Sequence, residues 1–177
     1  MRVRIRLVAI VVGLTGLAGC ATSSAFPERP YVLDVDLVDP CAALTDTQRE
    51  TFGLRPGSVG TAQGGTSRAC AWMGVNGVGF TFQTLASEAA VAIDAEPTSA
   101  IVTVAGFGGV QSSPPAEGTG LPFCQVVIDV ADEASVRTQM QVTPVAPDAD
   151  QRTVEDTCTQ VRDVAAMMLD TLHSQQS

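Results

Sequence analysis

Four cysteines, Cys41, Cys70, Cys124 and Cys158, constrain the fold more than any other feature of this chain. No two of them have the Cys-x-x-Cys spacing on which a thioredoxin-like site or a zinc ribbon is built. Their role therefore turns on compartment. An even number of cysteines in an exported protein reads as a disulfide framework, whereas cytosolic cysteines stay reduced.

The N-terminus speaks to the compartment. Arg2, Arg4 and Arg6 precede an apolar run from Leu7 to Leu17. Eleven residues make a helix of about 16 Å, roughly half a bilayer core, which fits a secretory signal and is too short for a transmembrane anchor. Leu17-Ala18-Gly19-Cys20 resembles the bacterial lipobox. That resemblance implies a diacylglycerol on the sulfur of Cys20, which becomes the new N-terminus. Residues 1–19 are expected to be a lipoprotein signal peptide. The mature chain is expected at the cell membrane, lipid-anchored through Cys20 on the extracytoplasmic face.

Export leaves four cysteines to pair, with three possible connectivities. The expected pairs are Cys41–Cys70 and Cys124–Cys158. Each closes a loop of about thirty residues, for which the loop-entropy estimate is about 3.5 kcal/mol. Oxidised cysteines of this kind are staples and cannot act as nucleophiles.

The 177 residues, 45% of them apolar, suffice for one domain. Ten arginines, no lysine and nineteen carboxylates give a net charge of −9. Without the three arginines of the signal segment, seven remain against nineteen acids, or −12. The seven are scattered and form no cluster for phosphate neutralisation, so no nucleic-acid partner is expected. The missing lysine removes the P-loop lysine and Schiff-base chemistry. A single histidine, His173, leaves no His-based metal site. An anionic membrane surface repels an acidic body, so the lipid must hold it there.

Residues 20–37, with Ser23, Ser24, Pro27 and Pro30, read as a tether, and the domain is expected over 38–177. Asp39 suits an N-cap with Pro40 at the first helical position, and Thr45-Asp46 caps a second short helix ending at Gly53. Residues 55–67 read as a surface loop. Cys70 and Trp72 share a strand face, Val78, Phe80 and Phe82 alternate with Gly79, Thr81 and Gln83, and Asn76-Gly77 between them signals a hairpin. Residues 87–97 are ambiguous, with a short helix as one reading. Ile101–Val104 is a short strand interrupted by Gly106–Gly109, and 111–120 is a Pro, Ser and Gly loop. Cys124, Val126, Ile128 and Val130 alternate, as do Val136, Thr138, Met140 and Val142, about a turn near Asp132-Glu133; this is a half-solvated antiparallel pair. A C-terminal helix is expected from about Asp150 to Leu172, with Val154, Cys158, Val161, Ala165, Met168 and Leu172 as one apolar stripe. The fold class is α+β: an antiparallel sheet with N-terminal short helices and a long C-terminal helix packed on one face, with two disulfides.

Catalytic patterns are sparse. Asp34, Asp36 and Asp39 lack the glycine and distal Glu of an EF-hand loop and read as solvated linker. Asp129, Asp132 and Glu133 read as turn carboxylates. Gly106–Gly109 lacks GxGxxG order and reads as a bulge or a close backbone approach. No G-x-S-x-G occurs. His173 suits a helix C-terminus and Trp72 suits the core. No catalytic residue, metal or cofactor is expected. The sheet face bearing Gln125, Arg137 and Gln139 is either a site or merely wet.

The order of motifs resembles one family. Asp39-Pro40-Cys41-Ala42-Ala43-Leu44 opens with Asp-Pro-Cys and a short helix, Cys70-Ala71-Trp72 follows as a Cys-x-Trp strand, and Val104 to Gly109 loosely matches a Val-x-Gly-Gly stretch. Cys124-Gln125-Val126-Val127-Ile128 matches a Cys-x-Val-x-Val strand, and the helix from Thr157-Cys158 to Leu172 closes the set. Together they resemble the actinobacterial lipoprotein family known as domain of unknown function thirty-five fifty-eight, over roughly residues 38 to 173. Asp156-Thr157-Cys158 departs from it where a proline often precedes the cysteine. The family brings no catalytic residue. The lipobox, the absent catalytic patterns and the disulfide-stapled core suggest a non-catalytic, sensor-like binding module for a small ligand or an envelope protein; an exposed apolar groove would support that reading. The alternative is an accessory subunit of an envelope secretion or cell-wall complex.

Overall fold

Alternating polar and apolar residues build most of the molecule. The computed structural model describes residues 24–114 and 120–177. Among them, seven strands form one antiparallel sheet: β1 Ser58–Ala62, β2 Ser67–Met73, β3 Val78–Leu85, β4 Ala100–Val104, β5 Phe107–Ser112, β6 Phe123–Ala131 and β7 Ala134–Val142. Their order is β1-β2-β3-β7-β6-β5-β4. Two meanders, β1 to β3 and β4 to β7, join where β3 pairs with β7 from Val78↔Val142 to Leu85↔Ser135.

Period two divides the sheet into unlike faces. Cys70, Trp72, Phe80, Phe82, Met140 and Ile128 are buried on one of them. Against it lies helix α2, Val154–Gln176, with Val161, Ala165, Met168 and Leu172 facing the sheet and buried. Each large apolar side chain buried there contributes about 1.5–3 kcal/mol. Cys124–Cys158 ties β6 to α2 at a Cα separation of 5.2 Å, and Cys41–Cys70 ties the N-terminal turn to β2 at 5.0 Å. Both expected pairs are therefore present.

Helix α2, expected from about Asp150 to Leu172, starts and ends later. Thr153 and Asp156 form a reciprocal capping box, which fixes the start at Val154 rather than Asp150. At the other end Gln175 donates to Ala42 O and Gln176 to Asp34 O, which carries the helix past Leu172. The N-terminal helices are short: a single 3₁₀ turn at Pro40–Ala43, capped by Asp39, and the six-residue α1, Asp46–Thr51, capped by Thr45 with Gln48.

Three segments depart from the sequence reading. The loop expected over 55–67 contains β1, an edge strand, whose exposed residues give no alternation to read. The expected loop at 111–120 begins inside β5, which runs to Ser112. The segment read as a tether, 20–37, packs on the domain from Phe26 onward. Phe26 and Leu33 are buried, and Leu33 N donates to Val130 O at 3.1 Å. Tyr31 is stacked on His173 with ring centroids 3.8 Å apart and meets the edge of Phe107. These apolar residues are irregularly spaced among prolines, so no period reveals them. Their burial makes a strap of what composition alone reads as linker.

Candidate binding face

The face of the sheet turned away from α2 holds the residues whose role the sequence left open. One end of it is covered: Phe26 and the 3₁₀ turn at Ala89–Ala92 pack on Leu85, Val110 and Val127 in a small second cluster. The remainder is a polar row set by strand register. Gln83 on β3 stands opposite Arg137 on β7, and Gln139, two residues further along β7, stands opposite Gln125 on β6. Ser112 on β5 stands opposite Gln125 in turn.

Hydrogen bonds link this row. Gln139 Nε2 donates to Gln125 Oε1 at 2.9 Å, and Gln125 Nε2 donates to Ser112 Oγ at 3.0 Å. Arg137 Nη2 donates to Gln83 Oε1. Gln83 is 1% exposed, yet its Nε2 has no partner among the described residues, and neither has the buried Nε of Arg137. Each unsatisfied buried donor costs about 1–3 kcal/mol. Arg137 forms none of the ion pairs seen among the described residues. Burial pushes its guanidinium below the usual arginine range. A half-buried cation without a counter-ion, flanked by amides, is poor for stability and well suited to receiving a polar ligand.

The other motifs settle into structural places. Ala105 and Gly106, both at positive φ, form the β4–β5 turn, a hairpin geometry and not a nucleotide loop. Gly108 lies under the Phe26 side chain, the close approach its sequence context indicates. Trp72 is fully buried in the core. Asp39 caps its turn, and Asp34 accepts from Asp36 N at 3.0 Å. Asp129 and Asp132 both receive Arg29, an ion-pair partner that sequence distance concealed. A cleft of about 540 Å³ borders that cluster, between Phe26, Arg29 and Asp129. Cys20, the expected lipidation site, and residues 1–19 lie outside the described residues. No helix among the described residues is long and apolar enough to cross a membrane.

Sequence comparison decides the family. The family model described as protein of unknown function (DUF3558) matches residues 15–171. The chain belongs to DUF3558. The match spans the strap, the whole sheet and most of α2, so the polar row lies within the DUF3558 region. No match was found among curated proteins or solved structures.

The polar row was half legible. Gln125, Arg137 and Gln139 follow from alternation along β6 and β7. Gln83 and Ser112 were missed as members because their membership depends on which strands pair. Gln83 did carry a signal, being in phase with Gly79 and Thr81 opposite the apolar set of β3. The face is polar and is not the exposed apolar groove that would have supported a binding module.

Proposed function

We propose that this DUF3558 chain is a lipid-anchored, extracytoplasmic binding module of the cell envelope, without catalytic activity, held at the membrane through a diacylglycerol on Cys20. The observation that carries the binding part is Arg137: a half-buried guanidinium that hydrogen-bonds to Gln83 and has no carboxylate partner among the described residues. Proteins rarely keep such a group for stability, since a buried charge with no counter-ion is destabilising. The anchoring part rests on the lipobox-like Leu17-Ala18-Gly19-Cys20, and two disulfides agree with an oxidising compartment.

Two measurements test the reading separately. Cys20→Ala releases the protein from membrane fractions if the anchor is real, and retention of the variant contradicts it. Native and denatured masses of the exported protein test the binding part. A stoichiometric extra mass that leaves on denaturation supports a carried ligand, whereas a clean native mass after gentle extraction argues for the accessory-subunit reading.

A further inference from the structure

We propose that the polar row binds a ligand carboxylate at Arg137, and that the carboxylate is the C-terminus of a peptide. This rests on reading the row as a binding face and adds the chemistry of what it takes. The guanidinium uses one Nη2 hydrogen on Gln83 Oε1. The end-on edge formed by Nη1 and the second Nη2 hydrogen has no hydrogen bond among the described residues, and the Arg137 side chain is only partly buried. That edge matches the two oxygens of a carboxylate.

Charge selects among anions. Among the described residues Arg137 is the one cation of the row, and Arg29, which reaches Asp129 on β6, is engaged by Asp129 and Asp132. A single positive charge balances a monovalent carboxylate. A phosphate dianion would leave negative charge uncompensated on a chain already at −9. The amides select among carboxylates. Gln139 and Gln125 continue the row from Arg137 across β7 and β6, and their free amide hydrogens and the Gln139 oxygen suit a peptide unit lying next to the carboxylate. Gln83, buried with an unused Nε2, marks the same end of the row as the cation. A small acid such as acetate would engage the guanidinium alone.

The full chain in detergent, labelled with nitrogen-15, is titrated with N-acetyl-alanyl-alanine, with its C-terminal amide and with acetate, while the arginine Nε and glutamine side-chain signals are followed. The peptide acid is expected to move the signals of Arg137, Gln83 and Gln139. The amide is expected to leave them in place, and acetate to need at least tenfold higher concentration. R137Q keeps a donor opposite Gln83 and is expected to abolish the response while the remaining spectrum is unchanged. Equal movement of all arginine signals, or an undiminished response in R137Q, overturns the site. Equal midpoints for acetate and the peptide acid overturn the peptide assignment. If native mass shows a carried ligand that R137Q retains, the binding reading stands and this placement falls.

Discussion

Arg29 grips Asp129 across one hundred residues of sequence, with Nε 2.7 Å from Oδ2 and Nη2 3.0 Å from Oδ1. A third bond at 2.7 Å reaches Asp132 in the β6–β7 turn. The pair fastens the N-terminal strap to the sheet and fixes where the chain leaves the domain. Arg29→Ala leaves Asp129, whose side chain is 10% exposed, without its main partner. Stability is expected to fall by about 1–3 kcal/mol in urea unfolding. Limited proteolysis is expected to open the chain between Phe26 and Leu33 first.

Gly108 offers an independent handle on the same strap. A Cβ at this position would lie 2.4 Å from the Cβ of Phe26. Gly108→Ala is therefore expected to evict Phe26 from its seat at a cost of about 1–3 kcal/mol, with the same new cleavage sites. Arg29→Ala added to Gly108→Ala should cost less than the sum of the two, because both detach one segment. Full additivity would show that Phe26 and Arg29 hold separate units.

Tyr31 gives the strap a pH dependence. Burial, reinforced by the charge of Asp170, pushes its hydroxyl above the usual value of 10.0. A folded value raised above the unfolded one means stability present below about pH 10 that falls as the pH rises through the raised value. The hydroxyl has no hydrogen-bond partner among the described residues. Tyr31→Phe keeps the stacking on His173 and is expected to add about 1 kcal/mol near neutrality. The same change should flatten the alkaline limb of the stability profile, and an unchanged limb would remove Tyr31 as its cause.

The disulfides are expected to be structural in equal measure, since they close loops of similar length, with sequence separations of 29 and 34. Replacing both cysteines of either pair by serine should lower stability by about 2–5 kcal/mol. An intact-mass comparison of native and reduced protein should show about four additional protons after reduction, two for each bridge.

What the sequence disclosed depended on periodicity. β6, β7 and α2 were readable because their apolar residues recur at two or at three and four, and Asn76-Gly77 announced the β2–β3 hairpin. β1 was hidden because an exposed edge strand has no face to mark. The strap was hidden because Phe26 joins the small second cluster while Tyr31 and Leu33 join the main core, with no repeat among them. The polar row needed the β3–β7 pairing, which joins the two meanders across fifty or more residues and leaves no local trace. Arg137 itself was visible as a residue facing away from the core. Its missing counter-ion was not, because absence of a partner is a property of the assembled sheet.

The most direct test of the account is the thermal stability of the double variant Gln83→Leu/Arg137→Met. Both partners of the cross-strand hydrogen bond are replaced by apolar groups of similar size, so no donor or acceptor is orphaned. If Arg137 is kept for a ligand, the variant should melt at the same temperature as the parent or a few degrees higher, in line with buried polar pairs exchanged for apolar ones. A melting temperature several degrees lower, with the core otherwise intact, would mean that the pair holds the sheet together and would contradict the assignment of this face to binding.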